Sequence, residues 1–514
     1  MKYLSLSLIL GVLACTAGVT SAAIPRLGFD KNKGRVFELG AKKYVFWGVD
    51  ADTWGCQALN YDMFRKHCEA SVYINANFIV IPITWKMLEP QKDQYNLEAI
   101  DKYIAIAREY KLKAGIIWTS MDYAAGDSSL VPEYLMADPA TYTRITGLFH
   151  NDLLCPSDPD TLARDRKAYV TLMKHLAETD KDRTIMAINL CGEINYLRAL
   201  ENWSPPEQNV RCQCAECDKL YRLGQHNVEF MTERYAVYVK DLIDSAARVY
   251  DIPTYTPVCA WRWFPGWRYA ENPEMLKKII NRPNHFVCPT IAQPISGKVW
   301  VEEEMDHFTP EAIPGNIIFA DGMDTAHDGH QGLPNALSHM ELAPWYNILW
   351  YGGMGAVYWD SPARTILNDE VLRTKFRKSF GPLKAMHYHL ARLKSAGKDR
   401  KFWWSYTETS SVQEMKGFAV KQRSSPNDYG MAFVLGDDDL AFTGTTLSGP
   451  YTFTVTRSDG FDGFTFEKGS FGETDGKWRR SADFEPILMG EQAIFNVTGD
   501  SGDASQAVIR VYRR

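Results

Sequence analysis

The sequence predicts an α/β protein, a (β/α)₈ TIM barrel followed by a small C-terminal β-sandwich, and three observations predict it. From Lys43 to about Asp360, short β-branched or aromatic runs alternate with amphipathic helical segments. Eight such runs occur, at 44–49, 78–83, 113–118, 184–190, 254–259, 285–291, 316–320 and 355–359, as a closed parallel barrel requires. Beyond residue 429 the helical period is lost and alternating strands with Gly, Pro and Asp turns take over. A doubly wound open sheet would need a Gly-rich phosphate loop after its first strand, and Gly48-Val49-Asp50-Ala51-Asp52 is not one.

Taken in order, residues 1–22 read as an export signal. Lys2 supplies the positive start, 4–14 is nearly all apolar, and Thr20-Ser21-Ala22-Ala23 offers small residues for cleavage. The apolar run is too short to span a bilayer. Val12-Leu13-Ala14-Cys15 also resembles a lipoprotein cleavage box, so anchoring through Cys15 is the alternative to a soluble exported form, periplasmic or extracellular. The barrel occupies 24–400, with helices expected at 97–110, 165–178 and 229–249. The sandwich occupies 401–514, with strands at 431–435, 439–443, 451–456, 493–497 and 507–512. Gly449-Pro450, Ser458-Asp459-Gly460 and Asp475-Gly476 mark its turns. Its expected role is to cap and stabilise the barrel.

The 514 residues exceed what one small core needs and suit a barrel with an accessory domain. A net charge of −6 gives no footprint for nucleic acid or an anionic membrane. No later stretch is apolar enough for a membrane span, and no pattern specifies an oligomeric state. The 15 Trp and 26 Tyr suit either a large core or rings that stack on sugar faces.

In this fold the loops after the strands build the active site. Asp50 and Asp52 follow the first strand, Trp85 and Glu89 the second, and Trp118 and Asp122 the third. Glu193 follows the fourth, Trp261 and Trp263 the fifth, Asp321 and Asp324 the seventh, and Trp359 and Asp360 the eighth. One such Trp is usually packing. Trp85, Trp118, Trp261 and Trp359 beside carboxylates point instead to a carbohydrate partner, with Asp50 and Asp360 placed to hold hydroxyls. Glycosidic cleavage needs two carboxyl groups across the bond, and the fourth and seventh strands are suitably placed to supply them.

The run Ala76-Asn77-Phe78-Ile79-Val80-Ile81-Pro82-Ile83-Thr84-Trp85, followed by Leu88-Glu89-Pro90 and Tyr95-Asn96, resembles the second-strand signature of β-galactosidases in glycoside hydrolase families 35 and 42. Ile185-Met186-Ala187-Ile188-Asn189-Leu190-Cys191-Gly192-Glu193 is similar to their fourth strand, which implies Glu193 as general acid/base. The stretch 429–436 and 469–478 resemble the β-domain appended to some family 35 members. The resemblance implies a retaining barrel hydrolase acting on a β-linked glycoside, with no organic cofactor.

Two positions depart from that pattern. Gly192 stands where an Asn usually precedes the acid/base, and Asp321, in Gly315-Asn316-Ile317-Ile318-Phe319-Ala320-Asp321-Gly322, stands where a nucleophilic Glu is expected. Aspartate reaches roughly 1.5 Å less than glutamate. Retaining enzymes hold their carboxyls about 5–5.5 Å apart and inverting ones about 6.5–9.5 Å. Asp321 therefore attacks directly, activates water, or is a relic in a binding-only barrel. Another specificity, for a mannoside, glucoside or polysaccharide fragment, also stays open.

Of the 10 cysteines, Cys212, Cys214 and Cys217 form a C-x-C-x-x-C run after the fourth strand. Three sulfurs so close strain as mutual disulfides but wrap readily around a tetrahedral ion, with Cys155 of the neighbouring loop as fourth ligand. The pairing is similar to the structural zinc site of family 42 enzymes. Two disulfides are the competing reading. Cys56 and Cys68 suit a disulfide, while Cys191, Cys259 and Cys288 read as buried small hydrophobes.

Overall fold

The computed structural model describes residues 23–30, 34–51, 59–121, 130–146, 153–191, 211–225, 227–259, 273–290, 317–320, 343–345, 348, 353–358, 366–392, 402–405, 412–415, 417–423, 429–445, 451–497 and 508–513. Three short strands come first: β1 (Arg26–Asp30), β2 (Gly34–Leu39) and β3 (Lys42–Tyr44), an antiparallel sheet that the sequence reading did not anticipate. Phe37 of β2 lies 4.8 Å from the Phe46 ring and meets Phe286 edge-on at 6.1 Å. These contacts are at the beginnings of two barrel strands, so the sheet plugs the N-terminal end of the barrel.

The barrel strands are β4 (Phe46–Asp50), β5 (Phe78–Ile83), β6 (Lys113–Trp118), β7 (Ile185–Leu190), β8 (Thr254–Cys259), β9 (His285–Thr290), β10 (Ile317–Ala320) and β11 (Gly355–Tyr358). They pair in sequence order and close, β11 on β4 and β10 on β9, all parallel. The expected barrel is therefore present, with every strand boundary within two residues of the predicted run.

Every residue of β5 and of β7 is buried, because one strand face meets the barrel interior and the other the helices. Side chains alternate accordingly. Ile79, Ile81, Ile83, Ile116 and Trp118 belong to the core shared with the helices. Phe46, Phe78, Val80, Ile117, Tyr255 and Phe286 fill the interior. Gly48 lets β4 approach β5 closely, since a Cβ there would sit 1.9 Å from the Phe78 carbonyl oxygen.

The helices around the barrel include α1 (Tyr61–Tyr73), α2 (Leu97–Glu109), α3 (Pro159–Thr179), α4 (Ala215–Leu220), α5 (Asn227–Ala247), α6 (Pro273–Ile280), α7 (Glu370–Ala385) and α8 (His387–Leu390). Helix α3 begins six residues before the predicted start at 165. The Asp158 side chain accepts from the Thr161 amide and Pro159 occupies the first turn, a complete start signal.

The C-terminal region is two antiparallel sheets on one core. One sheet orders Phe402–Ser405, Tyr429–Gly436, Asp439–Thr445, Val508–Arg513, Phe464–Phe471 and Trp478–Asp483; the other orders Val412–Met415, Phe418–Arg423, Tyr451–Thr456, Gln492–Val497 and Ile487–Met489. Phe418, Phe442, Phe453, Phe495 and Val511 interlock between them. The sandwich docks through α7 and α8. Phe376, Phe380 and Leu383 share a single cluster with Met431, Phe433 and Phe471 of the sandwich and with Trp47 and Val49 of β4. An interface continuous with the barrel core resists separation.

Candidate active site

The predicted site residues divide into two groups. Glu193, Asp321, Trp261, Trp359 and Asp360 lie outside the described residues, as do Asp52, Asp122 and Asp324. Asp50, Trp85, Trp118 and the four cysteines lie within them.

Asp50 is the last residue of β4, pairs in register with Val80, and is fully buried. It belongs to a polar layer inside the barrel with Asn189 and Tyr255. Burial, then the neighbouring Cys288 and Asp50, hold the Tyr255 phenol well above its usual range, while the nearby Asn189 amide opposes them.

The expectation that Trp85 and Trp118 form stacking walls needs correction. Both are 0% exposed. The Trp85 indole N–H donates to Glu89 Oε2 at 3.0 Å, and the Trp118 N–H donates to Asp165 Oδ1 at 2.9 Å. The reason is strand parity: Ile117 points into the barrel, so Trp118 must face the helices. Trp85 sits in a helical turn, Trp85–Leu88, whose start is capped by Thr84 accepting from the Met87 amide. A buried ring cannot stack on a sugar.

Glu89, a strand-end acid in the sequence, is structural. It pairs with Arg164 of α3 and accepts from the Asp93 amide at 2.8 Å. Arg164 also donates to Asp93 Oδ1 at 2.8 Å and to the Tyr134 hydroxyl at 2.7 Å. The loop after β5 is thereby tied to α3.

The residue that sequence reasoning missed is Asp165, fully buried on α3. Besides Trp118 it takes hydrogen bonds from the Ser120 hydroxyl and, at 2.6 Å, from the Tyr238 hydroxyl of α5. Burial lifts its carboxyl to about 6, against the pull of those three donors. The signal was available: Thr161, Asp165, Ala168, Leu172 and Leu176 form the buried stripe of α3, and a charge in such a stripe demands an explanation. Just above it, Ser120 and Cys191, which lie in the turns beyond the third and fourth strands, both adopt left-handed backbone, with φ of 56° and 67°. The Cys191 amide donates to the Trp118 carbonyl at 2.8 Å.

Cys155, Cys212, Cys214 and Cys217 converge, with all four sulfurs within 4.8 Å of one another. Cys155 Sγ lies 3.7, 3.5 and 3.5 Å from those of Cys212, Cys214 and Cys217, and all four are buried and unlinked by disulfides. The Ser157 and Cys217 amides each point at a sulfur, those of Cys155 and Cys214, at 3.4 Å. The Cys155 thiol is pushed up by its contact with the Cys212 sulfur, which the same contact draws down. Cys68 is a buried free thiol, and Cys56 lies outside the described residues.

No protein-family model and no curated protein matches the chain. Among solved structures it is similar to a family 39 glycoside hydrolase from the gut symbiont Bacteroides cellulosilyticus WH2, at 10% identity and a TM-score of 0.43 over 93% of this chain and 84% of that one. It is also similar to endo-glycoceramidase II from Rhodococcus sp., at 12% identity and 0.45 over 92% and 98%. The catalytic domain of a β-amylase from Paenibacillus polymyxa is similar at 11% identity and 0.42 over 59% and 89%. Likeness this distant is one of outline and carries no argument about activity.

Proposed function

We propose that this chain is a glycoside hydrolase acting on a β-linked sugar, a galactoside first. Glu193 serves as general acid/base and Asp321 as nucleophile or water-activating base. The observation that supports this reading is the order of the barrel. β7 and β10 are its fourth and seventh strands, and the C-terminal ends of parallel barrel strands open on one rim. Glu193 follows β7 by three residues in the sequence, and Asp321 follows β10 directly. Two carboxyl groups from opposite arcs of a rim are what bond cleavage at an anomeric carbon requires. One protonates the departing oxygen while the other attacks or deprotonates water.

The test is release of nitrophenol from a panel of nitrophenyl glycosides. Turnover of at least one β-glycoside, lost in Glu193→Gln, supports the assignment. Equal rates in wild type and Glu193→Gln remove it. Sugar binding without any turnover replaces hydrolysis with a binding-only barrel.

We infer also that the four cysteines hold a structural zinc. Thiolates bound at about 2.3 Å around a tetrahedral ion sit about 3.8 Å apart, and separations of 3.5–3.7 Å fit that spacing. Zinc would keep the four sulfurs ionised and join the loops after β6 and β7. Four thiolates leave no open coordination position, so it takes no part in the chemistry. The amino-terminal pattern of Lys2 and the apolar run 4–14 supports export of the mature protein.

A further inference from the structure

We infer that Asp165 is a positioning residue for Glu193, holding the two rim turns between which the fourth-strand loop starts; this rests on the hydrolase reading above. The carboxylate is fully buried on α3, and no ion pair to it occurs among the described residues. Three neutral donors from outside α3 converge on it instead: Trp118 at the end of β6, Ser120 in the turn beyond, and Tyr238 on α5. A carboxylate placed this way is costly, and an apolar side chain would pack the same volume at less cost.

What the arrangement gains is geometry at the rim. Ser120 and Cys191 hold left-handed backbone that non-glycine residues seldom adopt, and such conformations persist only when their surroundings over-determine them. Asp165 fixes the first turn through the Ser120 hydroxyl. It fixes the second through Trp118, whose side chain it holds and whose carbonyl receives the Cys191 amide. Glu193 is two residues beyond Cys191. The cysteine quartet joins the same two loops through Cys155 and Cys212–Cys217, so Cys191 and Cys212 on either side of positions 192–210 are both held.

The test compares full-length wild type with Asp165→Asn, Asp165→Glu and Ser120→Ala. On a substrate the wild type turns over, Asp165→Asn is expected to lower kcat by roughly 10–100-fold with KM within about twofold, as a slightly misplaced general acid does. Asp165→Glu, one methylene too long, is expected not to rescue it. Equal kcat in wild type and a folded Asp165→Asn overturns the proposal. A second readout needs no activity: amide exchange in a peptide covering 186–193 should quicken in Asp165→Asn, and Trp118 emission should lose its titration near pH 6. An unchanged exchange rate there overturns the proposal even if no glycoside is cleaved. Wild type and Glu193→Gln both inactive, with exchange altered in Asp165→Asn, would remove the hydrolase reading alone.

Discussion

The amide of Gln213 donates to the carbonyl of Thr146 at 3.0 Å, which joins the loop after β7 to the loop after β6 beside the four cysteines. A single backbone bond holds the loops weakly; four sulfurs on one ion would hold them firmly. The guanidinium of Arg211 adds to this corner by lying 4.1 Å from the Tyr221 ring.

Metal analysis of the purified chain should therefore find about one zinc per molecule, reduced nearly to none in Cys155→Ser. Since binding free energy at such a site is folding free energy, the thermal midpoint should fall by roughly 5 °C or more in that variant. Two fewer pairs of thiol protons by mass spectrometry, with no zinc, would establish disulfides instead.

Arg164 and Glu89 form a buried pair, and removing one partner leaves an uncompensated charge. Arg164→Ala should cost about 3–5 kcal/mol in urea unfolding, whereas Glu89→Gln with Arg164→Met together should cost less. A loss below 1 kcal/mol in the single variant would show that the pair is not what fixes the loop after β5.

Trp85 is a core residue, so its replacement should act on stability. Trp85→Ala should cost about 3–5 kcal/mol. Trp85→Phe should leave KM for any substrate unchanged. A large rise in KM in Trp85→Phe, with stability intact, would restore the ring to the sugar site.

His387 links β4 to the sandwich. Its Nε2 accepts from the Val45 amide at 3.4 Å, its ring meets the Glu473 backbone, and burial holds its pKa down to about 4. An unfolded histidine titrates near 6.5, so the folded state binds fewer protons between these values. This contribution is complete above pH 6.5 and is lost as pH falls toward 4. Wild type should lose about 2–3 kcal/mol more than His387→Gln between pH 7 and 4.5. Parallel losses would exclude His387 as the acid-sensitive group.

The barrel was legible because strands buried on both faces read as unbroken apolar runs, as at Phe78–Ile83 and Ile185–Leu190. The quartet was legible because thiol spacing is itself chemical information. The sheet β1–β3 was not, since a three-residue strand with an exposed start carries little pattern. Trp118 was misplaced for a different reason. A strand end names two neighbours, Ile117 and Trp118, and only the register with Ala187–Leu190 decides which one faces inward. Asp165 escaped because its donors come from two segments, 118–120 and Tyr238, each far from it in sequence, and helical periodicity shows the buried position without showing its partners.

The distance between the carboxyl groups of Glu193 and Asp321, measured in a crystal structure with a sugar bound, tests the hydrolase account most directly. The account predicts that both groups face one sugar linkage, about 5–5.5 Å apart if the reaction retains configuration or about 6.5–9.5 Å apart if it inverts. Carboxyls turned away from a common cleft, or separated by well over 10 Å, would contradict it.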